Sequence, residues 1–166
     1  MSLLKLSSFL LLCFSLAFAK EIEVSAIVEG QVKKVYIKQG QRVKTGQILV
    51  EIDPTLYTTK RESLKAELES QKLNLEKVER DFKRYEELFN RDLLSKSEYE
   101  DWKYRYEREK SRYMMLQAQI ERLNKLIEYC TIKAPVEGIV KKMLVREGVF
   151  VNGSMIPQTL LILEEK

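Results

Sequence analysis

Between Pro54 and Pro135 the chain contains neither glycine nor proline, while all six glycines (30, 40, 46, 138, 148 and 153) and Pro157 lie outside that interval. Glycine opens backbone conformations closed to other residues, and proline fixes φ and removes an amide donor, so the two punctuate a chain more strongly than any others. A long stretch without either reads as helix, interrupted at most by one turn. The two flanks, broken every few residues, read as short strands joined by tight turns.

Two amphipathic helices are predicted in the middle. Leu64, Leu68, Gln71, Leu75, Val78, Phe82, Tyr85 and Phe89 follow one another in steps of four and three. Tyr99, Trp102, Tyr106, Glu109, Tyr113, Leu116, Ile120, Leu123 and Ile127 do the same in the second segment. This is the a/d spacing of a coiled-coil seam. Asp53 followed by Pro54 is a helix start. Ser95 with Glu98 three residues on is a capping box that opens the second helix. The other faces carry pairs of opposite charge at helical spacing, such as Glu76/Arg80, Glu79/Lys83 and Asp101/Arg105. Residues 54–129 are therefore expected to form an antiparallel hairpin about 50 Å long at ~1.5 Å per residue. Trp102 is expected to be buried against Tyr85 or Phe82. Gln71 and Glu109 alone interrupt the apolar seam. They read as register-setting polar residues, and replacing Gln71 by Leu is expected to preserve or raise stability.

The flanks repeat each other at an offset of 108 residues. Val24, Ala26 and Val28 match Ile132, Ala134 and Val136, and Glu29-Gly30 matches Glu137-Gly138. Val32, Val35, Ile37, Gly40, Val43 and Ile48 match Val140, Met143, Val145, Gly148, Val151 and Ile156. Each copy is too short to bury its own apolar face, so two copies must close on each other as a small sandwich. The fold class is α+β: residues 20–53 and 130–166 build the sandwich, with the hairpin inserted between them.

Residues 1–19 have the form of a secretory signal. Lys5 supplies a positive start, Leu10, Leu11, Leu12, Phe14, Leu16 and Phe18 an apolar run, and Ala17-Phe18-Ala19 a cleavage site. The run is shorter than the ~20 residues a spanning helix needs. Leu12 before Cys13 does not suit lipid attachment at that cysteine. Cleavage would leave Cys130 as the sole cysteine, which excludes an internal disulfide or a metal site built on cysteine pairs. Cys130 itself reads as a small buried residue at a helix end.

Composition excludes several functions. There is no histidine, which removes the commonest general base and metal ligand. A net charge of +4, spread over 29 bases and 25 acids, does not form the basic patch that nucleic acid requires. The carboxylates lie on solvated helix faces beside bases, not paired in apolar surroundings as acid–base chemistry requires. No cofactor and no catalysis are expected.

The segment from Gly30 to Gly40, continuing through Val43, Gly46, Leu49 and Asp53, resembles the first half of a lipoyl or biotinyl domain. Thr131-Ile-Lys-Ala-Pro-Val-Glu-Gly138, running on to Val140 and Gly148, resembles the second half. Halves split by a coiled-coil hairpin resemble the HlyD-like membrane fusion proteins, or periplasmic adaptors, over nearly the whole mature chain. The resemblance implies a barrel-sandwich hybrid and a periplasmic location, possible association with the inner membrane included. It also implies a ring of like subunits, commonly six. Its partners would be an inner-membrane transporter of unspecified type and an outer-membrane TolC-type channel. Arg84, Leu88 and Ser95 match the Arg-Leu-Ser motif with which such adaptors meet the channel. Leu93 and Leu94 add apolar surface beside it, and the Ser95 hydroxyl is a further candidate contact. Family adaptors usually add a β-barrel and a membrane-proximal domain, and this sequence contains no segment expected to build them. Two other readings fit the pattern less well. A coiled-coil spacer or adaptor remnant needs no partner. A lipoyl or biotinyl carrier needs a lysine in the short turn that the helices replace.

The signal reading makes a direct prediction. N-terminal sequencing of protein recovered from the periplasm should begin at Lys20. Retention of Met1, or fractionation with the cytosol, would refute it.

Overall fold

The computed structural model describes residues 20–165. The expected signal segment, residues 1–19, lies outside the described residues. In chain order the elements are β1 (Glu21–Ala26), β2 (Glu29–Val35), β3 (Arg42–Val43), β4 (Ile48–Ile52), α1 (Thr55–Asn90), α2 (Lys96–Tyr129), β5 (Thr131–Lys133), β6 (Gly138–Met143), β7 (Phe150–Asn152) and β8 (Gln158–Glu165). The α+β class and the helical insertion are thus as the sequence reads.

The strands form two four-stranded antiparallel sheets, ordered β1-β8-β6-β3 and β5-β4-β2-β7. Exchanging each strand for its repeat partner converts one order into the other. Neither half owns a sheet, because each sheet takes two strands from before the hairpin and two from after it. The repeat extends to single hydrogen bonds. Gly40 N donates to Val140 O at 2.8 Å, and Gly148 N donates to Val32 O at 2.8 Å. Both glycines turn with left-handed φ, +83° and +84°, a region that disfavours any residue with a Cβ. Between the sheets lies a core that includes Val28, Val32, Val43, Ile52, Val140 and Val151. Val24, Ala26, Val32, Ile37 and Val43 and their repeat partners are all buried. In β2 and β6, Val32 and Val140 point into the core and the two lysines after each stay exposed, the pattern of a sheet wet on one face.

The helices contain 36 and 34 residues, about 54 and 51 Å at ~1.5 Å per residue. Asp53 Oδ1 accepts from the Thr55 amide at 2.9 Å. The helix starts one residue later than the sequence reads: Pro54 takes the N-cap place with no side-chain cap bond, and the Asp53 contact orders the turn just before the helix. The base of the rod is tied to the sandwich. Tyr57 is buried, its hydroxyl accepts from the Glu29 amide of β2 at 2.9 Å, and Ile52 N donates to Cys130 O at 2.8 Å. Leu123, Leu126 and Ile127 of α2 pack against the same core.

Along the rod the packing changes character. Near the base, Leu64 and Leu116 are buried. In the middle, Gln71 and Glu109 are buried and bonded to each other. Gln71 Nε2 donates to the Glu109 side chain at 2.9 Å and to its main-chain carbonyl at 3.1 Å. Asn74 Nδ2 donates to the same carboxylate at 2.8 Å, and Arg108 supplies a further donor at 2.9 Å. The bonds from Gln71 first and Arg108 second hold the Glu109 carboxyl below the usual carboxylate range against the opposing effect of burial. Toward the tip come three aromatic rungs, each a near-parallel stack: Phe82 on Tyr106, Tyr85 on Trp102 and Phe89 on Tyr99. Tyr85 and Trp102 lie 4.2 Å apart between centroids. Trp102 meets Tyr85 as expected but is only half-buried, because a two-helix rod has no third element to cover the ring's outer edge. Arg105 lies over that ring instead, 4.9 Å from its centroid. Of the three expected charge pairs, Glu79–Lys83 forms, at 2.8 Å.

The polar rung reverses the expectation for Gln71. Removing one partner of a buried, bonded carboxylate costs more than removing both. Gln71→Leu should therefore destabilise the protein by about 1–2 kcal/mol. Gln71→Leu/Glu109→Leu together should lie within about 1 kcal/mol of the parent or above it. Urea unfolding of the two variants checks the order. Acid adds a second test. A carboxyl whose pKa folding has lowered contributes stability above its unfolded value, near ~4.3, and loses it as pH falls through the folded value. The double variant should therefore gain on the parent as pH drops below about 4.

Candidate partner-binding tip of the hairpin

Helix α1 ends at a Schellman turn. Leu93 N donates to Leu88 O at 2.9 Å and Asp92 N to Phe89 O at 3.0 Å. Between them Asp92 takes a left-handed φ of 59°. Glycine usually fills that position; Asp and Asn are the commonest exceptions. In this motif the residues corresponding to Leu88 and Leu93 usually form the accompanying apolar contact. Helix α2 then starts on a complete capping box. Ser95 Oγ accepts from the Glu98 amide at 3.3 Å, and Glu98 Oε2 accepts from Ser95 N at 3.2 Å and from the Ser95 hydroxyl at 2.6 Å. These bonds hold the Glu98 carboxyl below its ordinary range. Chain direction thus reverses in a few residues whose amides are largely satisfied from within.

Within this frame the five expected residues take different places. Arg84 and Leu88 stand one turn apart on α1, so their side chains lie on one face. Arg84 is largely exposed, with 66% of its side chain accessible. It pairs with Asp81, one turn back, and its guanidinium lies 5.8 Å from the Tyr85 ring centroid. Leu88 and Leu94 are half-buried, whereas Leu93 is exposed at 68%. Ser95 lies across the turn at the start of α2. Its hydroxyl proton is committed to Glu98, so toward a partner it retains acceptor capacity only.

Three contributors escaped the sequence reading. Asp81 is the resting partner of Arg84, and its i−3 spacing could have revealed it. Asp92 shapes the turn, and Asp in a short interhelical segment was the available signal. Tyr57 anchors the base, and no local pattern distinguishes it from a seam residue. Cys130 closes α2 as a buried residue whose thiol contacts the Leu126 carbonyl at 3.4 Å. Burial first, and the nearby Asp53 carboxylate second, push that thiol up to about 11, so it stays protonated and unreactive at neutral pH. Among the described residues no cluster suits a metal ion, and no helix is long and apolar enough to cross a membrane.

A lipoyl-type sandwich interrupted by a two-helix rod is the architecture of membrane fusion proteins. A family model for the RND MFP barrel-sandwich hybrid domain matches residues 20–163, and the chain belongs to that family. The multidrug resistance protein MdtA of Photorhabdus laumondii is 28% identical over 134 residues, covering 81% of this chain and 33% of MdtA. The chain thus spans about one third of the length of that curated relative. A chimera of MacA carrying the α-hairpin domain of Pseudomonas aeruginosa MexA is 29% identical with a TM-score of 0.51, covering 88% of this chain and 46% of the chimera. A membrane fusion protein of Streptococcus pneumoniae R6 superposes with a TM-score of 0.60 at 13% identity, covering 88% of this chain and 63% of the other, and supports the fold alone.

The capping box makes the tip testable without a partner. Ser95→Ala should cost about 1 kcal/mol, and Ser95→Asp should recover most of it. Thermal unfolding monitored by circular dichroism measures both. Equal melting for all three proteins would show that the box does not hold the turn.

Proposed function

We propose that this chain is a periplasmic adaptor subunit of a bacterial efflux or type I-like secretion assembly. It links an inner-membrane transporter to an outer-membrane TolC-type channel through the hairpin tip. Family membership supports the adaptor reading. The observation that carries the channel contact is the tip itself: an exposed Arg84 above Leu88, on a turn ordered by a Schellman motif and a capping box. Helix ends of a partner expose unpaired carbonyls, and a guanidinium with five donors suits them better than an ammonium. Docking would exchange the Asp81 carboxylate for those carbonyls, while Leu88 and Leu93 lose water. The role requires no catalysis and no cofactor. Export through residues 1–19 and assembly into a ring of like subunits complete the reading.

The test is Arg84→Asp. It should abolish channel crosslinking from the tip and export in vivo while leaving helix content nearly unchanged. Leu88→Ser should weaken the contact by about 1–2 kcal/mol, one aliphatic side chain's worth of buried surface. Normal export by Arg84→Asp at normal protein level would refute the tip assignment.

A further inference from the structure

Along the hairpin, bases are matched by acids. Most lysines and arginines of α1 and α2 have an acid three or four residues away, and several of these pairs close, such as Lys65–Glu62 and Lys125–Glu128. Arg61 and Arg108 lack that spacing and pair with the adjacent Glu62 and Glu109 instead. Among the bases of the two helices, Lys60 and Arg122 alone have neither an ion pair nor an acid at helical spacing. Around Lys60 those positions hold Leu56, Tyr57, Ser63 and Leu64, and around Arg122 they hold Ala118, Gln119, Lys125 and Leu126. Both bases are exposed. The hairpin thus leaves two positive charges unmatched, one on each helix.

The two charges border the same feature. A groove of about 290 Å³ runs between the helices near the base of the rod, lined by Lys60 and Leu64 of α1 and by Gln119, Arg122, Leu123 and Leu126 of α2. Its apolar part is aliphatic. Leu64 is buried, while Leu123 and Leu126 are half-buried and pack against the sandwich core. A second depression shares Lys60 and continues along α1 to Leu56, which is 56% exposed. The result is an apolar track between two unpaired cations.

We propose that this groove docks an acidic amphipathic helix of a partner protein, with its apolar stripe on Leu64, Leu123 and Leu126 and its carboxylates against Lys60 and Arg122. Charge sets the sign of the partner, because both cations lack an acid of their own. Shape sets its form. A helix laid along two others packs its ridges into their groove at about 8–10 Å between axes. Helix-in-groove recognition reads apolar anchors at i, i+3 or i+4, and i+7. From Leu56 to Leu64 the track runs about 12 Å at ~1.5 Å per residue, room for about two turns. The groove is open on its solvent side. A small molecule would keep much of its surface wet there, whereas such ligands bind in pockets that enclose them. A helix covers an open groove from above. The inference uses no residue of the tip and stands apart from the channel reading.

The probe is a fluorescent helical peptide of about fourteen residues, with leucines along one stripe and glutamates on both flanks. Fluorescence anisotropy against the full chain should show saturable binding. Lys60→Glu and Arg122→Glu should each weaken it about fivefold, their effects multiplying in the double variant, with an unchanged circular dichroism melt. Lys72→Glu, three turns further along α1, makes the same change in net charge and should leave binding intact. The same peptide with lysines for glutamates should bind the double variant more tightly than the parent. No saturable binding, equal binding of both peptides to the parent, or an equal loss in Lys72→Glu would overturn the proposal. So would phosphatidylglycerol vesicles that bind through Lys60 and Arg122 where the peptide does not, since that assigns the groove to an anionic lipid surface. Self-association in sedimentation that Lys60→Glu and Arg122→Glu abolish would overturn it too, by seating a second copy there.

Discussion

The hydrogen bond from Ile52 N to Cys130 O, at 2.8 Å, joins the two ends of the helical insertion, and everything else in the molecule depends on that closure. Closing so long a loop costs chain entropy. The helices reduce the cost, because two rods packed antiparallel return the chain to its start once they form. Closure then brings β5 beside β4, and the second copy of the repeat completes both sheets. The interleaved strand order makes the dependence mutual. Neither half can bury its valines alone, so the sandwich forms only when the hairpin delivers β5 to β8.

The hairpin is not a uniform coil, and its gradient has a physical logic. A two-helix rod buries each seam residue on one side only, so aliphatic side chains leave much of their surface wet. Flat rings recover part of that loss by stacking, an arrangement worth roughly 0.5–1.5 kcal/mol per pair beyond area burial. The aromatic rungs occupy the end farthest from the sandwich, where fraying would be greatest. The Gln71–Glu109 rung sits between the aliphatic base and the aromatic tip. Leu and Phe tolerate a slip of one heptad, but a carboxylate that needs Gln71, Asn74 and Arg108 together does not. The rung thus fixes which residues of α1 face which of α2, and so fixes Arg84 and Leu88 relative to Ser95.

Much of the fold was legible because two simple periodicities carry it. The empty interval between Pro54 and Pro135 gave the helices, and the offset of 108 gave the paired sheets down to the matching turns of Gly40 and Gly148. What stayed hidden depends on side chains meeting across the structure. Gln71 and Glu109 were visible as exceptions to a pattern, but their bond to each other was not. The half-burial of Trp102 was missed because a seam position implies burial only where other elements surround it. At the tip, Ser95 and Glu98 announced themselves by local spacing. The Schellman turn at Asp92 did not, since an Asp in that position has many other uses.

Recognition at the end of a rod sets a demanding condition at its base. At about 50 Å, a tilt of roughly 5° at the sandwich displaces the tip by about 4 Å, more than the reach of a hydrogen bond. Order within the turn is therefore useful only if the base is fixed as well. Tyr57 meets that need for α1, burying its ring in the core while its hydroxyl satisfies the Glu29 amide. Cys130, Ile127 and Leu126 meet it for α2 from the same core. The two helices are thus anchored to opposite halves of the repeat, α1 through β2 and α2 through β5. Relative movement of the halves would shear the rod along its length, where the Gln71–Glu109 rung resists sliding. Tip position is in this way tied to the packing of the sandwich.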